Sequence, residues 1–205
     1  MKEKRAMKYI KLGSLIACTA LATLACKGES GAPQMQQRVV AVQDKGATVH
    51  GPETFCEAYT PPKKAAAFRY PELLGSTPKA SAGTWRWVNV WATWCKPCIE
   101  EIPTLLKWKK ELGKEGVNFD LQFLSVDEKA EDLTRFRALH PSLPPTLQIA
   151  DRSELGAWLE RIGLGQSASI PIQIFVDAQQ KLRCVRGGAV NKDDLPSIKA
   201  LLSHP

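Results

Sequence analysis

Two of the chain's six cysteines stand two residues apart, in Trp94-Cys95-Lys96-Pro97-Cys98. A pair at this spacing can cycle between dithiol and disulfide, provided that one sulfur is held as a thiolate. The segment before it, Trp85-Arg86-Trp87-Val88-Asn89-Val90-Trp91, is β-branched and aromatic and predicts a strand. A helical pattern begins at about Pro97. A strand-to-helix junction therefore puts Cys95 at the helix N-cap and Cys98 one turn inside. The free N–H groups and positive dipole end of that terminus stabilise a thiolate. Cys95 is the natural attacking sulfur, and Cys98, less exposed, resolves the mixed disulfide. The competing use of such a pair is half of a zinc site, which needs two further ligands at metal spacing. His50, His140 and His204 are isolated and no second Cys-x-x-Cys exists, so redox chemistry is expected and no metal or cofactor.

The elements around the pair alternate. Ile99, Ile102, Leu105, Leu106 and Leu112 form the apolar face of the helix after the cysteines, which Pro103 should kink. Asn118 to Val126 reads as a second buried strand, about Glu131 to Leu139 as a helix stopped by Pro141, and Thr146 to Ile149 as a short strand. Ser153 to Ile162 is an amphipathic helix ended by Gly163. Ile170 to Val176 and Lys181 to Val185 read as a hairpin, and Asp193 to Leu202 as a closing helix. This order predicts an α/β sandwich with a mixed central β-sheet flanked by helices.

The 205 residues suffice for one domain with appendages, and 44% hydrophobic with 24% charged content is globular. The formal charge of +7 is misleading as a sign of a nucleic-acid partner. Lys2, Lys4, Arg5, Lys8 and Lys11 stand beside a single acid, Glu3; without them 23 basic and 20 acidic residues remain, a net of +3. That basic start leads into an uncharged, largely apolar run, Leu12 to Ala25, too short to span a bilayer comfortably. Residues 1–26 are therefore expected to be an export signal ending in Thr23-Leu24-Ala25-Cys26, which resembles a bacterial lipoprotein signal with Cys26 as the lipidated residue. An ordinary cleaved signal, cut after Ala22, is the alternative. Residues 27–51, rich in Gly, Gln, Ala and Ser, read as a flexible tether, and residues 52–205 as the folded domain.

The stretch Val88 to Cys98, followed by Glu101-Ile102-Pro103, resembles the TlpA/ResA-like branch of the thioredoxin superfamily, with the likeness running from about Phe68 to Leu202. The resemblance implies a thioredoxin-like fold and a membrane-tethered thiol:disulfide oxidoreductase on the periplasmic side of the bacterial cell envelope. Asn89 stands where thioredoxin itself has a buried aspartate, as it does in this branch. By the same resemblance Glu101 is a proton acceptor for the second cysteine and Pro171 a cis-proline beside the active cysteines. Trp94 is then the aromatic shield of the disulfide, while Trp85, Trp87, Trp91, Trp108 and Trp158 read as packing. Cys56 and Cys184 remain. Four cysteines allow three connectivities; with Cys95 and Cys98 as the active pair, Cys56 is left with Cys184, as in TlpA-like proteins that tie an N-terminal extension to the late hairpin. Two unpaired buried thiols are the alternative. The partners implied are protein thiol and disulfide clients (apocytochromes c or copper-site proteins), a membrane thiol-electron donor, and a membrane reached through the lipid anchor. A monomer is expected. A second function, a Cu(I) metallochaperone using Cys95 and Cys98, draws on the affinity of thiolates for Cu(I).

Overall fold

The computed structural model describes residues 51–79, 81 and 83–203. Its chain runs α1 (Pro52–Phe55), β1 (Ala58–Tyr59), β2 (Trp85–Trp91), α2 (Lys96–Lys114), β3 (Phe119–Ser125), α3 (Ala130–Leu139), β4 (Thr146–Gln148), α4 (Leu155–Arg161), β5 (Ile172–Val176), β6 (Leu182–Gly187) and α5 (Leu195–Ser203). The six strands form one sheet in the order β1-β6-β5-β2-β3-β4. β2, β3 and β4 are parallel to one another, whereas β1 pairs antiparallel with β6, β6 with β5 and β5 with β2. The result is a mixed sheet flanked by helices, the α/β class that the alternating pattern implies.

β2 lies between β5 and β3 and is buried at all seven positions, Arg86 and Asn89 included, so apolar and aromatic residues face both sides of the sheet instead of one. Trp87 packs against Phe175, Phe119 and Trp108 at ring-centroid separations of 4.8, 5.8 and 6.3 Å. Truncating such a ring would cost about 3–5 kcal/mol. This aromatic layer fixes β2, and β2 delivers Cys95.

Several boundaries differ from those the sequence predicts. α2 runs unbroken from Lys96 to Lys114 with Pro103 inside it. The ring removes only the N–H that would have reached the Ile99 carbonyl, and packing along the rest of the helix outweighs that loss. The buried face of α2 is Cys98, Glu101, Ile102, Leu105, Trp108 and Leu112, whereas Ile99 and Leu106 are only partly covered. The expected helix over Ser153 to Ile162 opens as a 3₁₀ turn, Arg152–Glu154, and becomes α-helical at Leu155. Asp151 causes this by accepting from the Ser153 N–H at 2.8 Å. The closing helix likewise starts as a 3₁₀ turn, Lys192–Asp194, under a capping box between Asn191 and Asp194. Gly163, with φ of +91°, ends α4 in the left-handed region that a side chain rarely adopts. The export signal, Cys26 and all of the tether except Gly51 lie outside the described residues.

Candidate active site

Cys95 is the N-cap of α2 and its sulfur accepts from the Cys98 N–H at 3.3 Å. This is an orphan donor of the helix end, aimed at the sulfur that would carry negative charge. Cys95 and Cys98 are joined as a disulfide across a Cα–Cα distance of 5.3 Å. Cys95 keeps 4% of its surface and Cys98 none, so Cys95 is the sulfur an approaching molecule can reach. Its Sγ lies 3.8 Å from the Ile170 carbonyl oxygen, and the Ile170–Pro171 peptide is cis. The Gly188 N–H donates to the Pro171 carbonyl at 2.8 Å, which ties this loop to the end of β6.

A groove of about 490 Å³ opens beside Cys95, with Trp94, Pro97, Val126, Leu155, Ala168 and Ile170 among its walls. Trp94 is 57% exposed, and the Arg152 guanidinium sits over its ring at 5.2 Å. Arg152 also pairs with Glu128 at 3.6 Å. The other five tryptophans are buried or hydrogen-bonded inside, Trp158 through its indole N–H to the Arg69 carbonyl. Lys96 points to solvent and pairs with Glu100, one turn on, at 3.7 Å; this exposed pair adds little.

Under the disulfide lies a polar group enclosed by the core. Glu101, one turn beyond Cys98, is 4% exposed. Its Oε1 accepts from Asn89 Nδ2 at 2.7 Å and Gln173 Nε2 at 3.0 Å; its Oε2 accepts from the Val190 N–H at 2.9 Å. Burial pushes its carboxyl above the ordinary value, and these three donors pull it partly back. Gln173 has no place in the sequence reading. Its signal is there, one amide in an otherwise apolar strand, Ile172-Gln173-Ile174-Phe175-Val176. Asp127, 1% exposed, is the second residue missed. Its carboxylate accepts from the Thr93 N–H at 3.1 Å and from the Thr93 and Ser125 hydroxyls at 2.7 Å each. It thereby ties Thr93, between β2 and Cys95, to Ser125 at the end of β3.

Cys56 and Cys184 form a second disulfide, with Cα atoms 5.4 Å apart and 128 residues of separation. It joins the segment between α1 and β1 to the middle of β6. Among the described residues no cluster of three or more His, Cys, Asp or Glu side chains is arranged to hold a metal ion, and no helix is long and apolar enough to cross a membrane.

No family model matches the chain. A thioredoxin-like protein of Bacillus subtilis, YneN, is 35% identical over 49 residues, 24% of this chain and 29% of that protein. The thiol-disulfide oxidoreductase ResA of Geobacillus thermodenitrificans is 26% identical over 108 residues, 53% of this chain and 57% of that one. The matches thus span well under two thirds of these relatives' own lengths. Among solved structures, a DsbF homologue from Corynebacterium diphtheriae superposes with a TM-score of 0.53 at 22% identity, covering 76% of this chain and 97% of that one, a likeness of fold. A Cys-x-x-Cys at a strand-to-helix junction facing a cis-proline, in a sheet of this order, makes the fold thioredoxin-like, and the chain is similar to the thioredoxin-like and ResA proteins named above.

Proposed function

We propose that this chain is a thiol-disulfide oxidoreductase that reduces protein disulfides in the bacterial cell envelope. The observation that carries the reading is the Cys95–Cys98 disulfide at the N-terminus of α2, with Cys95 against the cis-proline loop and beside an open apolar groove. In the reduced protein the Cys95 thiolate attacks one sulfur of a client disulfide, and the client's other sulfur leaves as a thiol. Cys98, deprotonated by Glu101, then attacks Cys95 Sγ. The Cys95–Cys98 bond forms, the bond to the client breaks, and two electrons have passed to the client's sulfurs. A membrane thiol-electron donor returns them. The Ile170 carbonyl at the groove wall offers an acceptor to the backbone of an extended client segment, and Trp94 offers an apolar contact.

The direction of transfer follows from what lies between the cysteines. Pro97 carries no charge and no N–H, and the Lys96 ammonium is solvated and screened. The thiolate is then stabilised by the helix end alone, which leaves the disulfide hard to reduce. Two further observations favour an exported protein: a signal-like first 26 residues, and a second disulfide of the kind that persists in oxidising compartments. Lipidation of Cys26 would hold the protein at the membrane, with apocytochromes c or copper-site proteins as clients.

Equilibration of the purified protein against glutathione and dithiothreitol buffers tests the direction. A potential below roughly −200 mV is expected; one near about −120 mV would make the protein an oxidant. A Cys98→Ala variant should accumulate client mixed disulfides in the envelope that Cys95→Ser abolishes. Cys26→Ser should move the protein out of the membrane fraction, and unchanged retention would refute the anchor.

A further inference from the structure

We infer that Gln173 is a positioning residue for the exchange, held in one orientation by the Trp87 indole so that its amide N–H keeps the Glu101 carboxylate in its proton-accepting form. The inference rests on the reading of Cys95 and Cys98 as a redox pair with Glu101 as the base.

The argument is one of hydrogen-bond polarity. An indole nitrogen can only donate. Trp87 Nε1 lies 2.9 Å from the Gln173 side chain, so the atom it meets must be the amide oxygen. The other end of the amide, its NH₂ group, is thereby turned toward Glu101, at 3.0 Å from Oε1 and 3.3 Å from Oε2. Asn89 is oriented in the same sense, with its NH₂ group 2.7 Å from Glu101 Oε1 and 3.2 Å from the Gln173 amide oxygen. The Val190 backbone N–H completes the set. Every hydrogen-bond partner of the carboxylate is therefore a donor, an arrangement that favours the anion over the acid.

The surroundings are otherwise neutral. Asn89 faces Glu101 from β2, Gln173 from β5 and the Val190 N–H from the loop after β6, and among the described residues its titration is set by burial and these three donors. On its own helix Cys98 stands one turn earlier, while the adjacent Glu100 is exposed and pairs with Lys96. Desolvation raises the carboxyl's proton affinity, and the oriented amides limit the rise. The proton moves from Cys98 Sγ to Glu101, leaving a Cys98 thiolate and a neutral acid. The thiolate then attacks Cys95 Sγ. An acid held too basic by burial would already carry a proton at the start, and the step would lack its acceptor. The position of Gln173 suits the task. It is two residues beyond Pro171, and alternate residues of a strand share a face.

The test is the pH dependence of oxidation of the reduced full-length protein by glutathione disulfide, together with a ¹³C NMR titration of the Glu101 carboxyl. Gln173→Leu removes the donor. Trp87→Phe has no bond to Glu101 but frees the amide to turn its oxygen inward. Each is expected to raise the Glu101 titration and the matching inflection in rate by roughly one to two pH units. Glu101→Gln should abolish the inflection. If Gln173→Leu fails to fold, Trp87→Phe alone carries the result. A Glu101 inflection present in the wild type and unmoved in the folded variants would overturn this inference and leave Glu101 as the base. A wild-type profile with no inflection that Glu101→Gln removes would overturn the role of Glu101, and this inference with it. A reduced protein that glutathione disulfide does not oxidise at all would overturn the redox reading itself.

Discussion

Replacing Cys56 and Cys184 together by alanine opens a loop closed across 128 residues of sequence. Both must be changed, since a single free thiol could exchange with Cys95 or Cys98 and blur the result. In the chain-entropy account the bridge acts on the unfolded chain, and a loop of this length corresponds to about 5 kcal/mol at 25 °C. That is a ceiling, because removal of native bridges costs about 2–5 kcal/mol. Cys184 is fully buried and Cys56 nearly so, and the small void left by two missing sulfurs pushes the loss toward the upper end. For a domain of this size each kcal/mol moves the melting temperature by about 2–4 °C, so a drop of about 10–20 °C is expected. Urea unfolding with the Cys95–Cys98 pair kept oxidised supplies a second, independent signature. If the bridge works by restricting the unfolded chain, removing it lets that chain expand, and the slope of free energy against urea should rise. A loss below about 1 kcal/mol would refute the reasoning. So would a large loss at unchanged slope, which would place the effect in the folded state. Exchange activity below the new melting point should persist, because the bridge touches none of the groups around Cys95.

Three other outcomes are expected. Asp127→Ala strips Thr93 and Ser125 of their shared acceptor and should cost about 2–4 kcal/mol in urea unfolding while slowing disulfide exchange, because the turn into Cys95 is no longer pinned. Folding raises the proton affinity of Glu101, so its contribution to stability is present below its unfolded value near 4.5 and is lost as pH rises through the folded value. Unfolding midpoints measured against pH should therefore decline over that window in the wild type and run flatter in Glu101→Gln. Trp94→Ala should change stability by no more than about 1 kcal/mol, since the ring is mostly exposed and loses chiefly its Arg152 contact. The same variant should raise the apparent KM for a protein disulfide while leaving exchange with glutathione near wild type.

The elements that carry Cys95 were legible because they obey local rules. β2 is a β-branched and aromatic run, α2 begins where the cysteine spacing requires it, β2 to β4 alternate with helices as parallel strands do, and β5 and β6 follow as a hairpin before α5. The short pieces before β2 escaped. α1 and β1 hold four and two residues, too few for any periodicity, and they exist because Phe55 and Cys56 pack against the rest of the fold. The first turns ahead of α4 and α5 were misjudged because Asp151 and Asn191 compete for backbone N–H groups at the start of each helix. In the site, residue types with intrinsic chemistry stood out, whereas Gln173 and Asp127 matter only through what lies across the sheet from them. These pairings join Gln173 to residues 72 and 84 positions away and Asp127 to Thr93, 34 positions away, and leave no mark on either segment alone. Even so, an amide inside an apolar strand was a visible sign that a buried partner awaited it.

Finally, the bridge bears on how the fold would carry a load applied from its N-terminal side. β1 holds to β6 through only Ala58 and Tyr59, paired with Val185 and Cys184. Tension arriving from the N-terminal side would peel so short a ladder one rung at a time. It meets Cys56 first, however, and passes through a covalent bond into β6, next to β5 in the body of the sheet. A pull on the leading segment is therefore borne by the sheet as a whole, and the strand that presents Gln173 and the loop that presents Pro171 keep their register while the molecule is held from one end.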